Sequence, residues 1–213
     1  MTKVNTVATF ATLTAQVTEK AMIARAAELS TEFDARMTFE NKMRPGNMSI
    51  QTKLAKAKAR FATLGMAAYT LAADIDPAQV NRSISEGKRY NVYAFDKLTD
   101  ILSGIGTGAV FKNAINVAIM KSLVTCEIAE VPFTSLIASG CASDKVKLMP
   151  HAINKTLTRH NVGASTAPTQ TSSTMVALMT AGIVKNIGQG RMPVYKLQQT
   201  PTANRVREMF TPA

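Results

Sequence analysis

Apolar residues recur at helical intervals through most of the chain. Met22, Ala26, Leu29 and Phe33 lie three or four apart, which predicts helix across residues 1–43 with one break. Arg44-Pro45-Gly46-Asn47 ends it, because Pro cannot continue a helix and Gly tolerates the left-handed conformation that closes one. From Ile50 the apolar positions Ile50, Leu54, Ala57, Phe61, Leu64, Ala68 and Leu71 alternate steps of four and three, predicting one helix over 50–71. Its opposite face carries Lys53, Lys56 and Arg60 in line, with Lys58 beside them. Two readings of this stripe stand side by side: a solvated face over an intramolecular core, or a homodimer seam through Ile50, Leu54, Phe61, Leu64 and Leu71.

Asp76-Pro77 restarts a short helix, with an acid at the cap and Pro at the first helical position. Ser85-Glu86-Gly87-Lys88 breaks the pattern, and Val92, Phe95, Leu98 and Leu102 then share one helical face. The cluster Gly104-Ile105-Gly106-Thr107-Gly108 is expected as a loop before a helix over 110–123. It lacks the strand before it, the GxGxxG spacing and the Gly-Lys-Ser/Thr that phosphate-binding loops require. The β-prone stretch 124–128 is expected as a short strand, and helical pattern resumes over 133–138.

From 148 to 197 the expected order is helix, loop, helix, strand, turn, strand. The first helix offers Ile153 and Leu157 to a core. The second begins near Thr169, buries Met175, Leu178 and Met179, and closes at Ala181-Gly182. Strands at 183–187 and 194–197 flank a basic turn, 188–193, and form a β-hairpin. The run from Gln170 to Val184, followed by Tyr195-Lys196-Leu197, resembles the recognition helix and wing of the winged helix-turn-helix superfamily. The likeness covers about fifty residues, and the connection 161–168 is longer than the usual turn of that motif. The resemblance implies a DNA-binding module. In such a module hydroxyls and amides at the start of the recognition helix read base edges, and Gln170, Thr171, Ser173 and Thr174 take that place. Lys155, Arg159, Ser172, Lys185, Arg191 and Lys196 take the phosphate and wing contacts.

Composition and charge sharpen this picture. The 213 residues are 46% hydrophobic and 18% charged, as in a folded chain. Twenty-five Lys and Arg against 14 Asp and Glu give a net charge of +11, which points to a polyanionic partner. The split is uneven: residues 1–130 carry net +4, whereas 131–213 carry net +7 with Asp144 and Glu208 as their acids. The expected architecture is therefore mainly α: a helical N-terminal domain over 1–130 and a winged helix-turn-helix with a small β-hairpin over 131–213.

Other chemistries are weaker. Lys112 and Lys121 bracket the best apolar run, 113–120, which is too short to span a bilayer, so no membrane span is expected, and residues 1–15 lack the dense apolar core of a secretory signal, giving an intracellular reading. Cys126 and Cys141 with His151 and His160 match no zinc spacing, so neither a metal nor a cofactor is expected. Asp74 or Asp76 with Glu86-Gly87-Lys88 faintly echoes a metal-dependent nuclease, but its surroundings read as helix and cap rather than paired strands. The leading reading is a non-enzymatic, sequence-specific double-stranded DNA-binding protein, a transcriptional regulator repressing by occlusion. A virion- or nucleoid-type protein that coats nucleic acid without sequence preference is the alternative, and the nuclease comes third.

Overall fold

The computed structural model describes residues 9–81, 83–85, 88–108, 111–189 and 193–212. Helices dominate. The N-terminal pattern becomes α1 (Phe10–Gln16) and α2 (Glu19–Met43), separated at Thr18, whose hydroxyl accepts the Ala21 N–H and starts the second helix. α2 is closed by the turn around Gly46, where φ is +80°.

The expected single helix over 50–71 is two: α3 (Met48–Phe61) and α4 (Leu64–Ala72). Thr63 divides them, since its hydroxyl donates to the Arg60 carbonyl at 2.8 Å and accepts the Met66 N–H at 3.3 Å, ending one helix while capping the next. Leu54 and Phe61 are buried within the chain, Phe61 against Phe33 and Phe95 at ring distances of 5.5 and 6.1 Å. Ile50 and Leu71 are half-buried and Leu64 is exposed, so most of the stripe serves the chain's own core.

A short 3-10 turn (Pro77–Val80), capped by Asp76, precedes strands β1 (Ser83–Ser85) and β2 (Lys88–Arg89), which pair antiparallel. α5 (Val92–Thr107) then runs through the glycine cluster expected as a loop. The glycines serve packing: a Cβ on Gly104 would lie 2.2 Å from the Phe111 ring, and one on Gly106 2.3 Å from Tyr69. Gly108 closes the helix at φ +64°. α6 (Ala114–Ile128) absorbs the β-prone stretch 124–128, because Leu123, Val124 and Cys126 continue a buried helical surface and tertiary contacts outweigh local strand propensity.

The strand that does form is β3 (Phe133–Thr134), at the start of the expected helix, followed by α7 (Ser135–Ala142). A long connection leads to α8 (Ala167–Thr180), then β4 (Val184–Asn186), β5 (Val194–Leu197) and α9 (Pro201–Phe210). The hairpin strands pair in the expected region, and β3 adds on the other side of β5, giving the antiparallel order β3-β5-β4. Where a helix was expected around Ile153 and Leu157 there is only a 3-10 turn (Ala152–Lys155). Both side chains are nevertheless buried.

One apolar cluster extends from Phe10 to Val206 and crosses residue 130 without a break. Within it α5 packs on α3, α4 and α8.

Candidate nucleic-acid interface

The basic connection between α7 and α8 is held by its own polar groups. The Ser143 hydroxyl donates to the Val162 carbonyl at 2.6 Å, and the His160 N–H donates to the Cys141 carbonyl at 2.8 Å. Arg159, expected at phosphate, is spent here. Its Nε donates to the Gly140 carbonyl at 2.9 Å and an Nη to the carbonyls of Ser143 and Val146 at 3.0 and 2.6 Å. A guanidinium with three backbone acceptors staples a loop; it is not free to bind phosphate in this arrangement. His151 caps the 3-10 turn, its Nδ1 accepting the Ile153 N–H at 3.2 Å. Lys155 projects from that turn and is exposed.

α8 is a largely interior helix. Three of the four residues expected to read bases face inward: Thr171 is 5% exposed, Ser173 1% and Thr174 0%. Their hydroxyls donate to the Ala138 carbonyl at 3.4 Å, the Thr169 carbonyl at 2.7 Å and Asn116 Oδ1 at 3.0 Å respectively. The physical reason is the packing of α5 and α7 against α8, which turns small hydroxyl residues into close-contact positions. What α8 presents outward at its start is Pro168, Thr169 and Ser172, with Gln170 half-buried.

Asn116 connects this interior to the first half of the chain. Its Nδ2 donates to Asp100 Oδ2 at 2.8 Å, while Asp100 Oδ1 accepts the Lys112 N–H at 2.7 Å. Thr174, Asn116 and Asp100 thus form a chain from α8 to the surface beside Lys112. Lys97, one turn before Asp100, is 5% exposed, and among the described residues its ammonium has no hydrogen-bond partner. Burial lowers its pKa to about 8, with Asp100 and Asp96 opposing the shift.

The hairpin carries two exposed cations. Lys185 on β4 and Lys196 on β5 are directly opposed in the antiparallel register, and both are exposed. Among the described residues neither ammonium has a carboxylate partner. Like charges facing each other across a strand pair are unfavourable on their own and are relieved by an anion. Arg191, assigned to the same tip, lies outside the described residues. Of the residues expected at DNA, Lys185 and Lys196 come together on the hairpin, Lys155 and Ser172 are exposed and Gln170 is half-buried, while Thr171, Ser173, Thr174 and Arg159 are engaged within the chain.

The other candidate chemistries fare as follows. Cys126 and Cys141 are free and buried, and burial pushes their thiols up to about 11 and about 12. Among the described residues no group of three or more His, Cys, Asp or Glu side chains is placed to share a metal ion. Asp76 caps its turn by accepting the Ala78 N–H at 2.9 Å; Glu86 and Gly87 of the nuclease echo lie outside the described residues. Among the described residues no helix is long and apolar enough to cross a membrane.

Sequence reasoning passed over one concave surface. A groove of about 980 Å³ runs between α3 and α5 to the start of α6, with Lys53, Lys56, Arg60 and Lys112 on its walls. The three α3 cations were legible as a stripe, but nothing local to the sequence signalled that Lys112 would face them. Compared with protein-family profiles, with curated proteins and with solved structures, the chain has no significant match.

Proposed function

We propose that this chain binds double-stranded DNA through its C-terminal half, holding it mainly by phosphate contacts from the β4–β5 hairpin. The observation that carries the reading is the opposed pair Lys185 and Lys196, exposed and without carboxylate partners among the described residues. The element order supports it. α6, β3, α7, α8, β4 and β5 with sheet order β3-β5-β4 follow the helix–strand–helix–helix–strand–strand plan of winged helix proteins, with a long connection before α8. The net charge of +7 over 131–213 supplies the long-range attraction.

The interior placement of Thr171, Ser173 and Thr174 favours the coating protein over the operator-specific repressor. Base reading rests on Gln170, with Thr169 and Ser172 beside it, and contacts made to phosphates carry no sequence information. Fluorescence anisotropy of a labelled 30-base-pair random duplex tests the assignment with three full-length variants. Lys185→Glu and Lys196→Glu are each expected to weaken binding about tenfold or more at low salt, while Lys20→Glu, an exposed lysine on α2, changes it less than about twofold. Equal effects of all three would remove the hairpin from the interface. A selection for preferred duplex sites that returns no consensus is expected; a sharp consensus lost in Gln170→Ala would restore the repressor.

A further inference from the structure

The groove between α3, α5 and the start of α6 has the features of a ligand site separate from the hairpin. Two parts of the chain supply its cations: Lys53, Lys56 and Arg60 along one face of α3, and Lys112 just before α6. Two carboxylates stand on the α5 wall, and both are already engaged. Asp96 pairs with Arg60 at 2.8 Å, and Asp100 accepts the Lys112 N–H and the Asn116 amide. That leaves the ammoniums of Lys53, Lys56 and Lys112 without a carboxylate partner among the described residues, Lys53 resting 4.7 Å from the centre of the Tyr93 ring. Elsewhere on the same helix Lys58 is neutralised by Asp34 at 2.6 Å, so the unpaired charge is concentrated on the groove side.

The groove also offers hydroxyls, from Ser49, Thr52 and Ser103, and the positive end of the α6 dipole. Ammoniums, hydroxyls and a helix start converging on one concavity match the donors that phosphate oxygens require. Its volume of about 980 Å³ is at the upper end of small-molecule sites and gives no room for a duplex. The α5 wall matters to the choice of ligand. With Asp96 and Asp100 along it, favourable potential is confined to the α3 side and to Lys112, which suits a compact cluster of phosphates more than a strand laid along the whole groove.

We propose that this groove binds a small oligophosphate ligand, the di- or triphosphate moiety of a nucleotide or inorganic polyphosphate, through Lys53, Lys56, Lys112 and the neighbouring hydroxyls. It is a second site, independent of the DNA contacts of the hairpin.

Isothermal titration calorimetry of the full chain with sodium tripolyphosphate, with ATP and with a twelve-residue oligothymidylate tests it. Saturable binding of tripolyphosphate or ATP near one per chain is expected, weakened about tenfold or more by Lys56→Glu and by Lys112→Gln separately, and left within about twofold by Lys20→Glu. Tighter binding of ATP than of tripolyphosphate identifies a nucleotide as the source; equal binding identifies the phosphates alone, and both support the site. Because Lys56 and Lys112 are exposed, circular dichroism of each variant is expected to match the parent. Three results would overturn the proposal: non-saturable uptake, equal weakening by all three substitutions, or oligothymidylate binding lost in the groove variants with no tripolyphosphate binding. Duplex binding by the groove variants is expected to stay within about twofold of the parent, so failure here and failure of the hairpin interface are read separately.

Discussion

Arg36 shows how much one side chain can hold. It is 3% exposed on α2, its Nε donates to Glu40 at 2.8 Å, and its two Nη atoms donate to the carbonyls of Val80 and Tyr90 at 2.8 and 3.0 Å. It thereby ties α2 to the segment leading into α5. Arg36→Met is expected to destabilise by about 3–5 kcal/mol in urea unfolding, because Glu40 is left charged and buried, while the double change Arg36→Met with Glu40→Leu recovers most of that loss. A cost below about 1 kcal/mol for the single change would deny the pair its role. Lys97 argues in the opposite direction. Burial lowers its pKa in the folded chain to about 8 from an ordinary 10.5, so between those values the folded state binds fewer protons than the unfolded one. This contribution to stability therefore rises with pH across that window, and at pH 7 the ammonium is a net cost. Lys97→Met is expected to raise stability by about 1–4 kcal/mol at pH 7, with the advantage shrinking toward pH 10 in thermal melts. An advantage that grows with pH would reverse the sign. The buried thiols of Cys126 and Cys141 should react with a disulfide reagent at pH 8 only as fast as the chain opens, and immediate labelling of either would contradict their placement.

At the scale of elements, caps decide boundaries that periodicity alone does not. The heptad pattern over 50–71 is real in the sequence, yet Thr63 cuts it because a hydroxyl with two local backbone partners competes with helix continuation. Thr63→Ala is expected to cost about 1 kcal/mol, measured by thermal unfolding, and a stabilising effect would show the break to be set elsewhere. The hairpin and the helix before it were legible because Gly182, the β-prone 183–187 and the returning 194–197 are local signals. The 124–128 stretch was not, because its helical state is fixed by burial of Val124 and Cys126 against distant residues. Glycines 104 and 106 misled for the same reason: their small size answers Phe111 and Tyr69, contacts that no local pattern reveals. The inward turn of Thr171, Ser173 and Thr174 likewise depends on α5 lying over α8. A polar first turn reads the same in sequence whether it faces DNA or Asn116.

At the scale of the whole molecule, the charge asymmetry and the continuous core act together. The core joins the two halves through α5 and α8, so the cationic hairpin projects from a supported frame. A positive, supported surface that contacts phosphates should show its mechanism in salt. The most direct measurement is the affinity of the full chain for a labelled 30-base-pair random duplex across a series of salt concentrations. The account predicts that log K falls linearly with log salt, by about 0.9 per phosphate contacted, and that replacing both Lys185 and Lys196 with Ala reduces the slope by about 2. Absence of duplex binding at low salt, or a slope unchanged by the double replacement, would contradict it.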